Sequence, residues 1–176
     1  MEDGDSCAGS RVSFRSGDAL APLAGDTMNS IFTIRPYRAD DEEAVIALWL
    51  ETWQKAYPSI DFVARVPWWR TRWRDELVPN AAIMVAEQND VLIGFVTLDA
   101  TGYLDQLVVA PDHWGTDLGN ALVDEAKRLS PDQISLLVNT DNCRAIRFYE
   151  RNGFVHAGED VNPASKRRIL KMAWKG

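Results

Sequence analysis

Three short apolar runs in series constrain the fold more than any other feature. Residues 81–87, 91–99 and 103–109 are rich in Val, Ile and Leu, too short for independent helices, and set apart by turn signals. Asn89-Asp90 between the first two predicts a tight hairpin, and Pro111 ends the third. Helical and strand patterns then alternate. Residues 115–129 place Leu118, Leu122, Ala126 and Leu129 on one helix face. Residues 134–138 read as a short buried strand. Residues 142–152 read as a helix with Gly153 at its C-terminal cap, followed by strands over 154–157 and 168–174. Upstream, 31–36 is a strand stopped by Pro36. Acids at 40–43 open a helix carrying Val45, Leu48, Trp49, Thr52 and Ala56, and Pro58 closes it. Residues 61–77 form a second helical region, broken by Pro67. Hairpin strands feeding into strand–helix–strand units predict an α/β (α+β) fold. Its mixed, mostly antiparallel central sheet has six to seven strands, with helices on both faces.

Residues 1–29 differ in kind. They hold four glycines, five acids against two arginines and no sustained periodicity, so we expect a flexible extension. Residues 30–176 make one domain. The 176-residue chain carries 19 Lys and Arg against 26 Asp and Glu, a net charge of −7 that argues against nucleic acid or an anionic membrane as a general partner. No apolar run approaches the ~20 residues of a membrane span. No secretory signal pattern opens the chain. Two cysteines, Cys7 and Cys143, and two distant histidines, His113 and His156, predict a reducing, cytoplasmic setting and no metal.

Two segments carry the chemistry. From Leu107 through Val108, Val109 and Pro111 to Gly115, Thr116, Asp117, Leu118, Gly119 and Asn120, a buried strand runs into a loop that opens a helix. Free N–H groups of a helix's first turn bind anions, and glycine lets backbone approach a phosphate. The plain alternative is a glycine turn in which Gly119 allows close helix–sheet packing. The spacing fits neither a Walker loop nor a dinucleotide fingerprint. The second segment holds Asn142, Ala145, Phe148, Tyr149, Gly153 and Phe154.

Together these segments resemble the GNAT acyltransferase superfamily, which uses acyl-coenzyme A. The family's Val-x-Pro followed by Gln/Arg-Gly-x-Gly-x-Gly/Ala is matched here by Val109-x-Pro111 and Trp114 to Gly119. Its Asn-x-x-Ala-x-x-Phe-Tyr-x-x-x-Gly-Phe is matched from Asn142 to Phe154. Trp114 stands in place of Gln or Arg, and Asp117 in place of the middle glycine.

The resemblance implies transfer of an acetyl group from acetyl-CoA to a primary amine of a small molecule or peptide. It leaves a homodimer open and calls for no metal. It implies that Leu107, Val108 and Val109 bond the pantetheine arm, that the backbone of 115–120 takes the pyrophosphate, and that Asn142 bonds the pantetheine side. Tyr149 would protonate the departing thiolate, and its plain alternative is a packed aromatic. Asp105, on the same strand, is the candidate base, with an ordinary ion-pair or cap role as its alternative; Tyr103 and Glu51 are weaker candidates. Trp49, Trp53, Trp68, Trp69 and Trp73 are expected mainly to pack. A non-catalytic acyl-CoA-binding or protein-interaction module on the same fold is the competing reading.

Overall fold

The computed structural model describes residues 32–162 and 166–176. The extension expected over 1–29 lies outside the described residues. The elements are β1 (Thr33–Pro36), α1 (Glu42–Ala56), α2 (Val66–Arg72), α3 (Val78–Asn80), β2 (Ala81–Gln88), β3 (Val91–Asp99), β4 (Leu104–Val109), α4 (Leu118–Leu129), β5 (Gln133–Asn139), α5 (Cys143–Arg151), β6 (Val155–Val161) and β7 (Arg168–Lys175). This is the order that the periodicity predicts. At the β2–β3 hairpin Asn89 and Asp90 both take positive φ, 51° and 63°, as a two-residue turn between right-twisted strands requires.

The expected central sheet is two sheets. β1-β2-β3-β4 is one antiparallel sheet, and β5-β7-β6 is the other. Among the described residues they meet at a single parallel bridge between Tyr103 and Ser135, where Ser135 N–H donates to the Gly102 carbonyl at 2.9 Å. Gly102 has φ +81°, and a Cβ there would lie 2.5 Å from the Gln133 carbonyl oxygen. Only glycine permits this approach, so it fixes the point where the two sheets touch. Beyond that point β4 and β5 run on unpaired.

α1 opens with Glu42 and Glu43, favoured by the helix dipole. Arg70 of α2 donates to both, at 2.8 and 2.9 Å, and Arg74 donates to Glu42 at 2.9 Å, which draws the second helical region onto the first. That region differs from expectation in one respect. Pro67 lies in the first turn of α2, where its missing N–H has no helical partner to lose, so it starts the helix instead of breaking it. A π-helical turn, Trp73–Leu77, then carries the chain into α3 and buries Trp73 and Leu77.

The core has two halves. On one face, Trp49, Trp69 and Trp73 pack with Phe62, Phe95 and Val108. Trp49 stacks on Trp69 at 4.7 Å, and Trp73 meets Phe95 edge-on at 5.5 Å. Three of the five clustered tryptophans are thus core, whereas Trp68 is 59% exposed. On the other face, Leu118, Leu122, Val123, Ala126 and Ile146 of α4 and α5 pack on Leu136, Phe154 and Met172. Helix α4 begins at Leu118, later than predicted, because Gly115 takes φ +83° and keeps 115–117 in the loop. Gly119 packs helix on helix, not helix on sheet: a Cβ there would stand 3.1 Å from the Phe148 ring of α5.

Candidate active site

The groove between β4 and β5 is defined by which β4 groups remain unpaired. Ala110 N–H donates to the Ile93 carbonyl at 2.8 Å, and the register pairs Val109 with Gly94, Val108 with Phe95 and Leu107 with Val96. Hydrogen-bonded and non-hydrogen-bonded pairs alternate in an antiparallel ladder. Ala110 and Val108 therefore turn their N–H and C=O groups toward β3. Leu107 and Val109 turn theirs to the opposite edge, into the groove. Of the three residues expected to line it, Val108 does not: its backbone pairs with β3 and its side chain is core. The Val109 carbonyl already accepts from Trp114 Nε1 at 2.8 Å and from Thr52 Oγ1 at 3.4 Å, so its free group is the N–H.

At the end of β4 the chain makes one 3-10 turn and then the glycine loop. Thr116 is occupied within the loop: its N–H and hydroxyl both donate to the His113 carbonyl, at 3.3 and 2.8 Å. Ala121 N–H bonds to the Asp117 carbonyl at 2.9 Å. The N–H groups of Gly119 and Asn120, in the first turn of α4, have no acceptor among the described residues and are the loop's free donors. The Asp117 side chain is exposed and makes no cap bond, so its charge lies toward solvent. The Asn120 side chain accepts from Asn152 at 3.1 Å and ties α4 to the end of α5.

Asn142 caps α5. Its Oδ1 accepts from Ala145 N–H at 3.1 Å, which leaves the side-chain NH₂ without an acceptor among the described residues. The Asn-x-x-Ala spacing is an N-cap pattern in its own right. Asn142→Ala is expected to destabilise the ligand-free protein by about 1 kcal/mol. The check is a lower denaturant midpoint with an unchanged m-value.

Tyr149 is 8% exposed, between Phe148 at 5.3 Å and Phe154 at 5.4 Å. Burial, with a smaller contribution from Tyr103, raises its phenol well above the ordinary value. Tyr103 is the residue that joins the sheets, and its influence on the Tyr149 phenol brings that phenol near the vertex of the groove. Burial raises the Tyr103 phenol as well, and the Asp105 charge adds to the effect.

Asp105 is committed to an ion pair. Arg72 Nη1 and Nη2 donate to its two oxygens, both at 2.9 Å, and Gln106 Nε2 adds a third bond at 3.1 Å. Arg72 also bonds Glu76 at 3.1 Å and lies over the Trp69 ring. Burial works against the Arg72 charge, but the Asp105 and Glu76 carboxylates outweigh it and its pKa rises. No signal in the sequence marks Arg72, because its partner lies 33 residues away. Glu51 is not brought to this group. It lines a separate pocket with Arg35, Asp41 and Glu87.

A cavity of ≈350 Å³ opens where the groove ends, between the C-terminal end of α1, the β4–α4 loop and the start of α5. Lys55, Tyr57, Trp114, Asp141, Asn142 and Arg144 line it. Trp53 stacks at 5.8 Å on Tyr57, which lines this opening. Among the described residues, no three His, Cys, Asp or Glu side chains are grouped to hold a metal, and no helix is long and apolar enough to cross a membrane.

An unpaired strand edge leading to a helix N-terminus, with a buried phenol beneath, suits group transfer from an extended anionic carrier. Fold and groove together define an acyltransferase. Residues 42–154 match the acetyltransferase (GNAT) family, and the chain belongs to that family of N-acetyltransferases. The peptidyl-lysine N-acetyltransferase YjaB of Escherichia coli (strain K12) is 29% identical over 152 residues, covering 83% of this chain and 99% of that protein. A mycothiol acetyltransferase of Kineococcus radiotolerans is 31% identical over 164 residues, covering 86% of this chain and 52% of that longer protein. The fold matches the PaiA N-acetyltransferase of Thermoplasma acidophilum, solved in complex with coenzyme A. The TM-score is 0.65 at 22% identity, covering 83% and 99% of the two chains.

Proposed function

We propose that the protein transfers an acetyl group from acetyl-CoA to a primary amine of a peptide or small molecule, and that it does so in the cytoplasm, where charged nucleotide thioesters are retained. The unpaired edge of β4 carries this reading. Leu107 and Val109 offer strand-type hydrogen bonds to an extended amide-bearing chain, and the Gly119 and Asn120 N–H groups stand at the end of that edge for a phosphate. The residues present fit the donor on these grounds. The relatives named for peptidyl-lysine and for mycothiol favour an amine acceptor of either size.

Acetyl-CoA supplies an activated acyl thioester whose departing group is a thiolate. The N–H groups on the β4 edge bind the arm, and the one nearest the acyl carbonyl polarises it. The side-chain NH₂ of Asn142 holds the arm from the opposite wall. The Tyr149 hydroxyl keeps its proton at neutral pH and hands it to the departing sulfur. The Asp105 carboxylate, with both oxygens engaged by Arg72, fixes the α2 side of the groove, and the proton of the amine leaves to water.

Acetyl-CoA at a hundred times its dissociation constant is expected to stabilise the protein by ~2.7 kcal/mol. A thermal melt with and without millimolar acetyl-CoA checks this, and an unchanged melting temperature would remove the donor assignment. Release of free thiol across a panel of lysine peptides and small amines then separates the enzyme from a non-catalytic acyl-CoA-binding module, which binds without turnover.

A further inference from the structure

Arg144 lies in the first turn of α5, on the β5 side of the groove. Its guanidinium carbon is 3.7 Å from the centre of the Trp114 indole, which belongs to the β4 side. The indole is itself fixed, because its N–H is bonded to the Val109 carbonyl. A guanidinium stacked on a ring uses its face and keeps the N–H donors at its edge available. No carboxylate among the described residues pairs with it. Asp141, the acid of the same cavity, is engaged by Arg167 at 3.4 Å. Burial works against the Arg144 charge and lowers its pKa, only partly offset by Tyr57. Lys55 adds a second positive charge to the cavity wall. The cavity thus holds an exposed cation with open donors and a net positive lining, stacked on the loop that leads to the free N–H groups of Gly119 and Asn120.

The indole beneath Arg144 is also the position where the glycine loop departs from its family pattern. That pattern calls for Gln or Arg at the position of Trp114. Here a guanidinium comes to the same place from a different helix. We propose that Arg144 is a phosphate-binding side chain of the donor site: it rests on Trp114 in the free protein and turns its fork onto the pyrophosphate of the bound donor. The proposal rests on the reading of acetyl-CoA as donor. Guanidinium and phosphate make bidentate, charge-assisted bonds, stronger than the ring contact that Arg144 gives up. The added cation also offsets Asp117, which places a negative charge on the same loop.

The test is calorimetric titration of the full chain with CoA and with 3′-dephospho-CoA, for wild type, Arg144→Gln and Arg144→Lys. Arg144→Gln is expected to weaken both ligands alike, by about ten- to a hundredfold, the value of a lost hydrogen bond between charged groups. Arg144→Lys keeps the charge without the planar fork and is expected to fall between the two; it carries the test if the Gln variant does not fold. In turnover, Arg144→Gln raises KM for acetyl-CoA and leaves kcat near wild type, since the contact is made equally before and during transfer. Equal CoA affinity in wild type and both variants overturns the proposal and leaves the donor reading standing. Weakening for CoA but not for 3′-dephospho-CoA also overturns it, by moving the contact to the ribose phosphate. Failure of the wild type to bind CoA overturns the donor reading itself.

Discussion

Tyr149→Phe is expected to slow acyl transfer by about 10²–10⁴-fold in single turnover, the usual loss when a general acid is removed. The change deletes one hydroxyl and keeps the ring between Phe148 and Phe154, so folding and donor affinity should be retained. Single-turnover rates are the proper readout, because slow product release would mask part of the loss. The pH dependence follows from the direction of the phenol's shift. Burial raises the Tyr149 pKa, so the proton-bearing form persists beyond the ordinary phenol value of about 10. The wild-type rate should therefore show no falling alkaline limb below about pH 10. Its rising limb should follow the acceptor amine, shifting when a less basic amine replaces lysine. A wild-type single-turnover rate in the Phe variant would make Tyr149 a packing residue. Loss of donor binding would give it a structural or binding role instead.

The motif around Tyr149 was legible because it is local. Asn142, Ala145, Phe148 and Tyr149 lie on one short helix, and their spacing is preserved whatever the helix packs against. The β2–β3 hairpin was legible for the same reason, since Asn89-Asp90 states its own turn. What the sequence did not show depends on pairing across distance. Periodicity identifies strands 103–109 and 134–138 but cannot show that, among the described residues, they meet only where Ser135 bonds Gly102, which is what splits the sheet. Nor does it give the phase of β4 against β3, and a shift of one residue decides whether Val108 or its neighbours face the groove. Gly119 invited a phosphate reading, but its missing Cβ also answers to the ring of Phe148, from a helix 29 residues on. Arg72 and Arg144 carried no local signal, because their partners Asp105 and Trp114 come from other elements.

The pairing of Arg72 with Asp105 leads to the second large effect. Their side chains are only 22% and 16% exposed, so removing one charge leaves the other poorly solvated beside the core. Asp105→Asn is expected to destabilise the protein by about 3 kcal/mol, the low end for a broken buried pair, because some solvent still reaches both groups. Arg72→Gln should cost a similar amount. The double variant Arg72→Gln/Asp105→Asn should cost clearly less than the sum, because neither charge is then left uncompensated. Denaturant midpoints of the four proteins give the coupling directly. The same four proteins separate the two roles of Asp105. A carboxylate that serves only to hold Arg72 has its loss relieved by the second substitution, so single-turnover acyl transfer well below the melting transition should recover toward wild type in the double variant. A carboxylate that takes the amine's proton cannot be relieved in this way: the double variant would stay as slow as Asp105→Asn. The two oxygens of Asp105 are already bonded to Arg72 and one also to Gln106, which leaves little free lone-pair density for an incoming proton. Recovery in the double variant is therefore the expected result, and its absence would return Asp105 to the role of base.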